Sequence, residues 1–346
     1  MRIAIDAREL HGRPTGVGRF LAEILAAWKT LPEAQAHDVI LCAPDEGGGT
    51  LWEQVRLPRL VREAGADVLF APGYSGPVCC PVPMVVAIHD VSFAAHPEWF
   101  SWREGARRRT TTHLAARAAA RVLTISEFSK HEIAAHFGID SGKIVVVYPG
   151  VANLKDPPRT SDEDPATALF VGSIFNRRHV PELIEGFARL ARARPEVRLE
   201  IVGENRTSPN LDLAGTIRAA ALTDRIHLRS YVTDEELRAL YAGSSAFVFL
   251  SEYEGFGLTP LEALAAGLPV LLLDTPVARE VCGDAAIYVP RPDPALIEAA
   301  LATLLFDVSE RARILEAVPR VLARYSWTDC ARLVLNLLLS CGSRNA

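Results

Sequence analysis

Two kinds of hydrophobic pattern alternate along this chain. Short apolar runs without polar interruption occur at RIAIDA (2–7), VILCA (39–43), DVLFAP (67–72), MVVAIHD (84–90), VLTIS (122–126) and KIVVVYPG (143–150). Longer amphipathic stretches separate them, from about Gly16, near 52–64, near 101–119 and at 127–137. The runs predict strands of a parallel sheet covered on both faces, and the stretches predict helices. A second series repeats the alternation: ALFVGS (168–173), RLEIVG (198–203), IHLRSYV (226–232), AFVFLS (246–251), PVLLLD (269–274) and AIYVP (286–290). Its helices are expected near 178–194, 211–221, 233–243 and 259–266, with more to about 324.

Between the two series, ANLKDPPRTSDEDPAT (152–167) is rich in proline and acid and has little to bury, so it reads as a linker. Strand–helix alternation on both sides of a linker predicts an α/β protein of two doubly wound, Rossmann-like domains, 1–151 and 168–325. A last helix opens at Ser326, an N-cap with Asp329 three residues on, and fills 326–346. Open parallel sheets bind ligands at the carboxyl ends of their strands, so two of them facing each other across a cleft favour an enzyme.

Composition narrows the class. Hydrophobic residues make up 49% and charged residues 23% of the 346 positions, as in ordinary globular proteins. No apolar run is long enough for a membrane span, and MRIAIDAREL lacks the layout of a signal peptide. A cytoplasmic protein is expected. A net charge of −5 argues against a nucleic-acid partner. The six cysteines have neither C-x-x-C nor Cys/His zinc spacing, so free thiols are expected.

Candidate chemistry gathers after strands. In GRPTGVGRF (12–20), Gly16 and Gly18 straddle a helix start whose N–H groups can face a phosphate; a plain turn fits equally. His89-Asp90 ends the fourth strand, where a satisfied structural histidine and an active-site one are both tenable. Ser126 is an N-cap candidate, with Ser129 three residues on. Arg177 and Arg178 precede a helix start, a place unfavourable for cations unless an anion joins them; solvated loop arginines are the alternative. In SEYEGFGLTPLEALAAGLPVLLLD (251–274), Thr259-Pro260-Leu261-Glu262 spells a capping box, which accounts for Glu262 but not for Glu254 or Gly255-Phe256-Gly257. Glycines let a backbone approach a ligand, and carboxylates accept vicinal hydroxyls. Such a set suits a nucleotide sugar.

Taken together, these segments resemble the family-4 retaining glycosyltransferases of the GT-B fold over nearly the whole chain. EGFGLTPLEA is similar to that family's E-x7-E signature, with Glu254 and Glu262 in its two Glu positions. TGVGRF, VVAIHD, TISEFSK and VVVYPGV resemble further family segments. The resemblance implies that Glu254 contacts the transferred sugar and Glu262 the ribose. It places Gly16 and Gly255, Phe256 and Gly257 along the diphosphate, Val232 at the base, His89 beside the reacting centre, and the last helix back on the first domain. Relatives usually carry Arg-Lys-Asn where this chain has Arg177-Arg178-His179, and a glycine where it has Ser230. Arg178 would then stabilise the leaving diphosphate.

The function so implied is hexose transfer from a nucleoside diphosphate sugar, GDP-mannose first, to a saccharide or lipid-linked saccharide acceptor in cell-envelope polysaccharide synthesis. A nucleotide-sugar epimerase and an inactive sugar-nucleotide-binding module are the alternatives. No metal or other cofactor is expected: Asp162-Glu163-Asp164 spells D-x-D, but in a linker, where ligands are not held rigidly. Finally, PEWFSWREGARRRTTTHLAARAAAR (97–121) puts Trp99, Phe100 and Trp102 beside four arginines. Peripheral contact with the inner face of a membrane and a solvated helix with core-facing aromatics both fit it.

Overall fold

A computed structural model describes residues 1–11, 15–44, 48–151 and 166–343. Most of the expected linker, including Asp162-Glu163-Asp164, lies outside the described residues. The chain divides into two compact units, Met1–Gly150 with Tyr325–Ala346, and Val151–Arg324.

The first unit is built on a parallel sheet in the order β2-β1-β3-β4-β5-β6. Its strands are β1 (Arg2–Asp6), β2 (Asp38–Cys42), β3 (Val68–Ala71), β4 (Met84–Ala87), β5 (Arg121–Thr124) and β6 (Ile144–Val146). Central β3 and β4 are buried at every position, which is why they read as unbroken apolar runs. β2 departs from that reading. Among the described residues it pairs only with β1, and Val39 and Leu41 are 37% and 50% exposed, because an edge strand lacks cover on one side. Leu69, Val86, Ile88, Phe93 and Ile133 lie in the core around the sheet.

The last helix, Trp327–Gly342, belongs to this unit although the second unit precedes it in sequence. Ser326 caps it by accepting the Asp329 N–H at 3.2 Å. Val334, Leu335 and Leu338 are buried, Trp28 Nε1 donates to the Ala331 carbonyl at 2.8 Å, and Arg332 pairs with Glu33. One apolar face therefore seats the helix against the first helix, Gly16–Trp28.

In the second unit the sheet order is β12-β11-β10-β7-β8-β9, again all parallel. The strands are β7 (Thr167–Val171), β8 (Arg198–Val202), β9 (Ile226–Arg229), β10 (Ala246–Phe249), β11 (Val270–Leu273) and β12 (Ala286–Val289). The chain winds outward from β7 through β8 and β9, then returns to pair β10 with the other side of β7. The order reverses between β7 and β10, so the loops after those two strands diverge and leave a crevice at their carboxyl ends. Its position is fixed by topology alone. The six cysteines are free, and burial pushes the Cys282 and Cys330 thiols up to about 12, so neither is a ready nucleophile.

Candidate active site

Both loops of the β7/β10 crevice carry charge into it. After β7, a 3-10 turn at Asn176–Arg178 delivers the two arginines, and the helix Val180–Ala193 follows. After β10 come Ser251, Glu252 and Glu254. The loops are joined at the backbone, where the Glu252 N–H donates to the Arg177 carbonyl at 3.0 Å. They are also joined by ions. Arg178 donates from Nε and Nη2 to Glu254 Oε1 at 3.0 and 2.8 Å, and from Nη1 to the Ser173 carbonyl at 2.8 Å. Ser251 Oγ donates to the same Glu254 oxygen at 2.8 Å.

Local sequence explains why the guanidinium fits there. Gly172 sits at φ +146°, and a Cβ on it would come within 2.6 Å of Arg178 Nη1. The guanidinium carbon stands 4.8 Å from the Phe249 ring centroid and 5.7 Å from that of Phe175. A cation over two aromatic faces and against a bare glycine is held in one rotamer. The pair is only slightly exposed, with side-chain values of 13% for Arg178 and 21% for Glu254. Its residual donors are the second hydrogens on Nη1 and Nη2. Arg177 instead stacks over Phe175, 4.3 Å from the ring centroid.

His179 adopts a left-handed conformation at φ 51°. Its Nε2 lies 2.8 Å from Glu252 Oε1 and its Nδ1 3.4 Å from Glu182 Oε1. Burial pulls its pKa down, but the two neighbouring carboxylates outweigh burial and the net direction is up.

The expected capping box at Thr259–Glu262 does not form. Gly257 is the N-cap, left-handed at φ 100°, and the helix runs Leu258–Ala265 with no side-chain cap. Thr259 is inside the first turn, so its hydroxyl is not placed at the helix entrance. The physical reason is the glycine: its positive φ turns the chain into the helix two residues earlier than the Thr-Pro pair would. The first N–H groups are therefore left without a side-chain acceptor, facing the same crevice end of β10. Glu262 is buried, at 6% exposure. Phe256 is buried too, so the backbone of Gly255–Gly257, rather than the phenyl ring, is what this loop can present. The capping box appears elsewhere: Thr233 and Glu236 cap the helix Asp234–Gly243 reciprocally, directly after the half-buried Val232.

In the first unit, His89 follows β4. It is buried at 8% exposure, and its Nε2 is 2.8 Å from the Pro72 carbonyl, which makes Nε2 the protonated nitrogen and leaves Nδ1 as an acceptor. Burial lowers its pKa, against the Pro72 bond and the Asp90 and Glu9 carboxylates. Asp90 accepts the Tyr74 hydroxyl at 2.7 Å and the Ser92 N–H at 2.8 Å. Ser126 is an N-cap, accepting from Ser129 N, while Ser129 Oγ donates to the His89 carbonyl at 3.0 Å and fixes the histidine's backbone. Thr15 caps the first helix through the Gly18 N–H. A Cβ on Gly16 would meet nothing within 4 Å, so packing within the described residues makes no demand for glycine at that helix entrance. Sequence reasoning missed Ser251, whose only signal was its place right after a strand, and the Glu252–His179 pair.

Comparison with known proteins defines the class. Residues 29–152 match the family model Glycosyltransferase Family 4 and residues 153–320 the model Glycosyl transferases group 1, and the chain belongs to this glycosyltransferase family. Its relatives mark it as a hexosyltransferase. The chain is 27% identical to O-antigen chain mannosyltransferase B of Escherichia coli, over 73% of this chain and 69% of that one. It is 29% identical to the GDP-mannose:cellobiosyl-diphosphopolyprenol alpha-mannosyltransferase of Komagataeibacter xylinus, over 64% of this chain and 57% of the other. The structure of Anabaena HepE in complex with UDP-glucose matches with a TM-score of 0.75 at 19% identity, covering 98% of this chain and all of that one (100%). Such a likeness establishes the fold, GT-B.

Proposed function

We propose that the protein moves a hexose, mannose from GDP-mannose as the first choice, onto a saccharide or lipid-linked saccharide in cell-envelope polysaccharide synthesis, with retention at the anomeric carbon. The carrying observation is the Arg178–Glu254 pair at the β7/β10 switch point, next to a helix start without a side-chain cap. A leaving diphosphate gathers negative charge as the glycosidic bond breaks. Arg177, the spare Arg178 hydrogens, and the N–H groups from Gly255 into the helix Leu258–Ala265 meet that charge with dipoles already oriented. Glu254 turns to the transferred sugar and Glu262 to the ribose, Val232 offers its backbone to the base, and Gly16 leaves its helix entrance open to a phosphate. His89, neutral and fixed by Pro72, serves as an uncharged hydrogen-bonding group toward the sugar. The mannosyltransferase names among the relatives support this donor.

With positive charge supplied by the protein, no divalent cation is needed, and transfer should proceed in EDTA. Association with an anionic membrane surface through the helix Trp102–Ala118 is part of the same reading. Trp102 is 80% exposed, and Arg103, Arg107 and Arg117 are exposed along the helix. Trp99 and Phe100 are not free anchors: Trp99 stacks on His96 at 3.9 Å, and Phe100 packs edge-on to Phe93. Among the described residues no helix is long and apolar enough to cross a membrane. A thermal-shift series with GDP, UDP, dTDP and ADP tests the donor assignment. Stabilisation by GDP above the others is expected, and preference for another nucleotide overturns GDP-mannose.

A further inference from the structure

The first unit has a switch point of its own. Its sheet order, β2-β1-β3-β4-β5-β6, reverses between β1 and β3. Glu9 stands there, in the 3-10 turn Arg8–Leu10 that follows β1. Its side chain reaches across to the loop after β3: a Cβ on Gly73 would lie 3.4 Å from Glu9 Cγ and 3.5 Å from Oε1. On the other side, a Cβ on Gly18 would come within 2.3 Å of the Glu9 carbonyl oxygen. Two glycines therefore make room for this residue, one on each flank. Thr15 Oγ1 donates to Glu9 Oε2 at 3.0 Å while accepting the Gly18 N–H, so the carboxylate is aimed as well as accommodated.

Charge around Glu9 is unusual. The adjacent cation, Arg8, is committed elsewhere: Nη2 lies 2.5 Å from both Asp6 Oδ2 and Glu53 Oε2, and Nε lies 2.8 Å from Asp6. Asp6 and Glu53 are 2% and 4% exposed, and Ser75 and Gln54 complete the bonding of Glu53. One guanidinium facing two carboxylates has no net positive charge left for Glu9, and among the described residues no cation pairs with Glu9. Its one side-chain partner is a hydroxyl. A partly buried carboxylate with no counter-ion, at the ligand end of an open sheet, is suited to accepting more hydroxyls. Beside it lie the neutral His89 ring, edge-on to Phe20 at 5.1 Å and near Tyr74 at 5.5 Å, and the Tyr74–Asp90 bond.

We infer that Glu9 recognises the glycosyl acceptor, taking hydrogen bonds from neighbouring hydroxyls of the acceptor's sugar ring and setting which ring is accepted. This rests on the transfer reading given above. Glu9 makes no covalent bond and takes no proton; it is a specificity-determining residue.

The test uses the full chain with a panel of octyl hexosides as acceptors and GDP-mannose, UDP-glucose and dTDP-rhamnose as donors. It compares wild type, Glu9→Gln and Glu9→Asp for acceptor KM, for donor hydrolysis without acceptor, and for melting temperature. Glu9→Gln should raise acceptor KM about tenfold or more, with hydrolysis, nucleotide affinity and melting temperature unchanged, and Glu9→Asp should fall between. An unchanged acceptor KM overturns the inference. So does a proportional loss of hydrolysis and transfer, which would mean that Glu9 only supports its loop. A wild type that hydrolyses donor but binds and glycosylates no hexoside of the panel overturns this inference alone. A wild type that releases no nucleoside diphosphate from any donor, with or without acceptor, overturns the transfer reading and this inference with it.

Discussion

Arg178 and Glu254 form one unit in which every described bond to the glutamate's carboxylate falls on a single oxygen. Two guanidinium donors and the Ser251 hydroxyl converge on Glu254 Oε1, at 2.8 to 3.0 Å, and no described group bonds Oε2. The arginine thus orients the glutamate and leaves its other oxygen unbonded among the described residues, and in the proposed function that oxygen takes a sugar hydroxyl. Removing either residue should lower turnover, by about 2.7–4 kcal/mol of transition-state stabilisation if it is a full electrostatic contact. Since the two act together, Arg178→Ala, Glu254→Gln and the double variant should give strongly non-additive losses in kcat. Additive losses would show that they work separately.

Because Gly257 and not Thr259 opens its helix, Thr259→Ala should leave stability within about 0.5 kcal/mol of wild type, where loss of a real cap costs about 0.5–2 kcal/mol. Glu262→Gln should weaken nucleoside diphosphate binding about tenfold, as removal of a charged acceptor from a ribose hydroxyl would. Calorimetric titration checks it. A change in melting temperature with unchanged affinity would return Glu262 to a structural role.

His179 gives the crevice a pH dependence. Its folded pKa is raised above the unfolded value of about 6.5. The stability it contributes is therefore complete below about pH 6.5 and is lost as pH rises through the folded value. Glu182, whose pKa its bond to His179 lowers, gives the opposite limb, lost as pH falls below the carboxylate range. Melting temperatures of wild type and His179→Gln should differ most near pH 6 and converge as pH rises through the folded value. A gap that widens with pH would contradict the assignment.

For the surface helix, binding to anionic vesicles at low salt should fall on Arg103→Glu/Arg107→Glu, at about 1 kcal/mol per arginine near the surface, and on Trp102→Ala. Salt should weaken it as well. Co-sedimentation measures both, and wild-type protein that stays in the supernatant would rule the contact out.

Much of the architecture was legible because parallel strands are buried on both faces and so print unbroken apolar runs; β3, β4, β10 and β11 are examples. Edge strand β2 was over-read for the same reason, since hydrophobicity does not say which strands end a sheet. Arg178 and Glu254 were found one at a time, by spacing after strands. Their bond was not visible, because it spans 76 positions and depends on the reversal of strand order. The misread cap at Thr259 shows the limit of local rules: a Thr-Pro-x-Glu pattern fits a helix start, but a glycine two positions earlier decides it.

The most direct measurement is the anomeric configuration of the product. Purified protein, GDP-mannose and a lipid-linked or alkyl saccharide acceptor are incubated in EDTA, and the new linkage is read by NMR. The account predicts GDP release that rises with acceptor, an α-mannosyl product matching the α-linked donor, and loss of both in Arg178→Ala/Glu254→Gln. A β-linked product, a requirement for added metal, or isomerised sugar nucleotide formed without acceptor would contradict it.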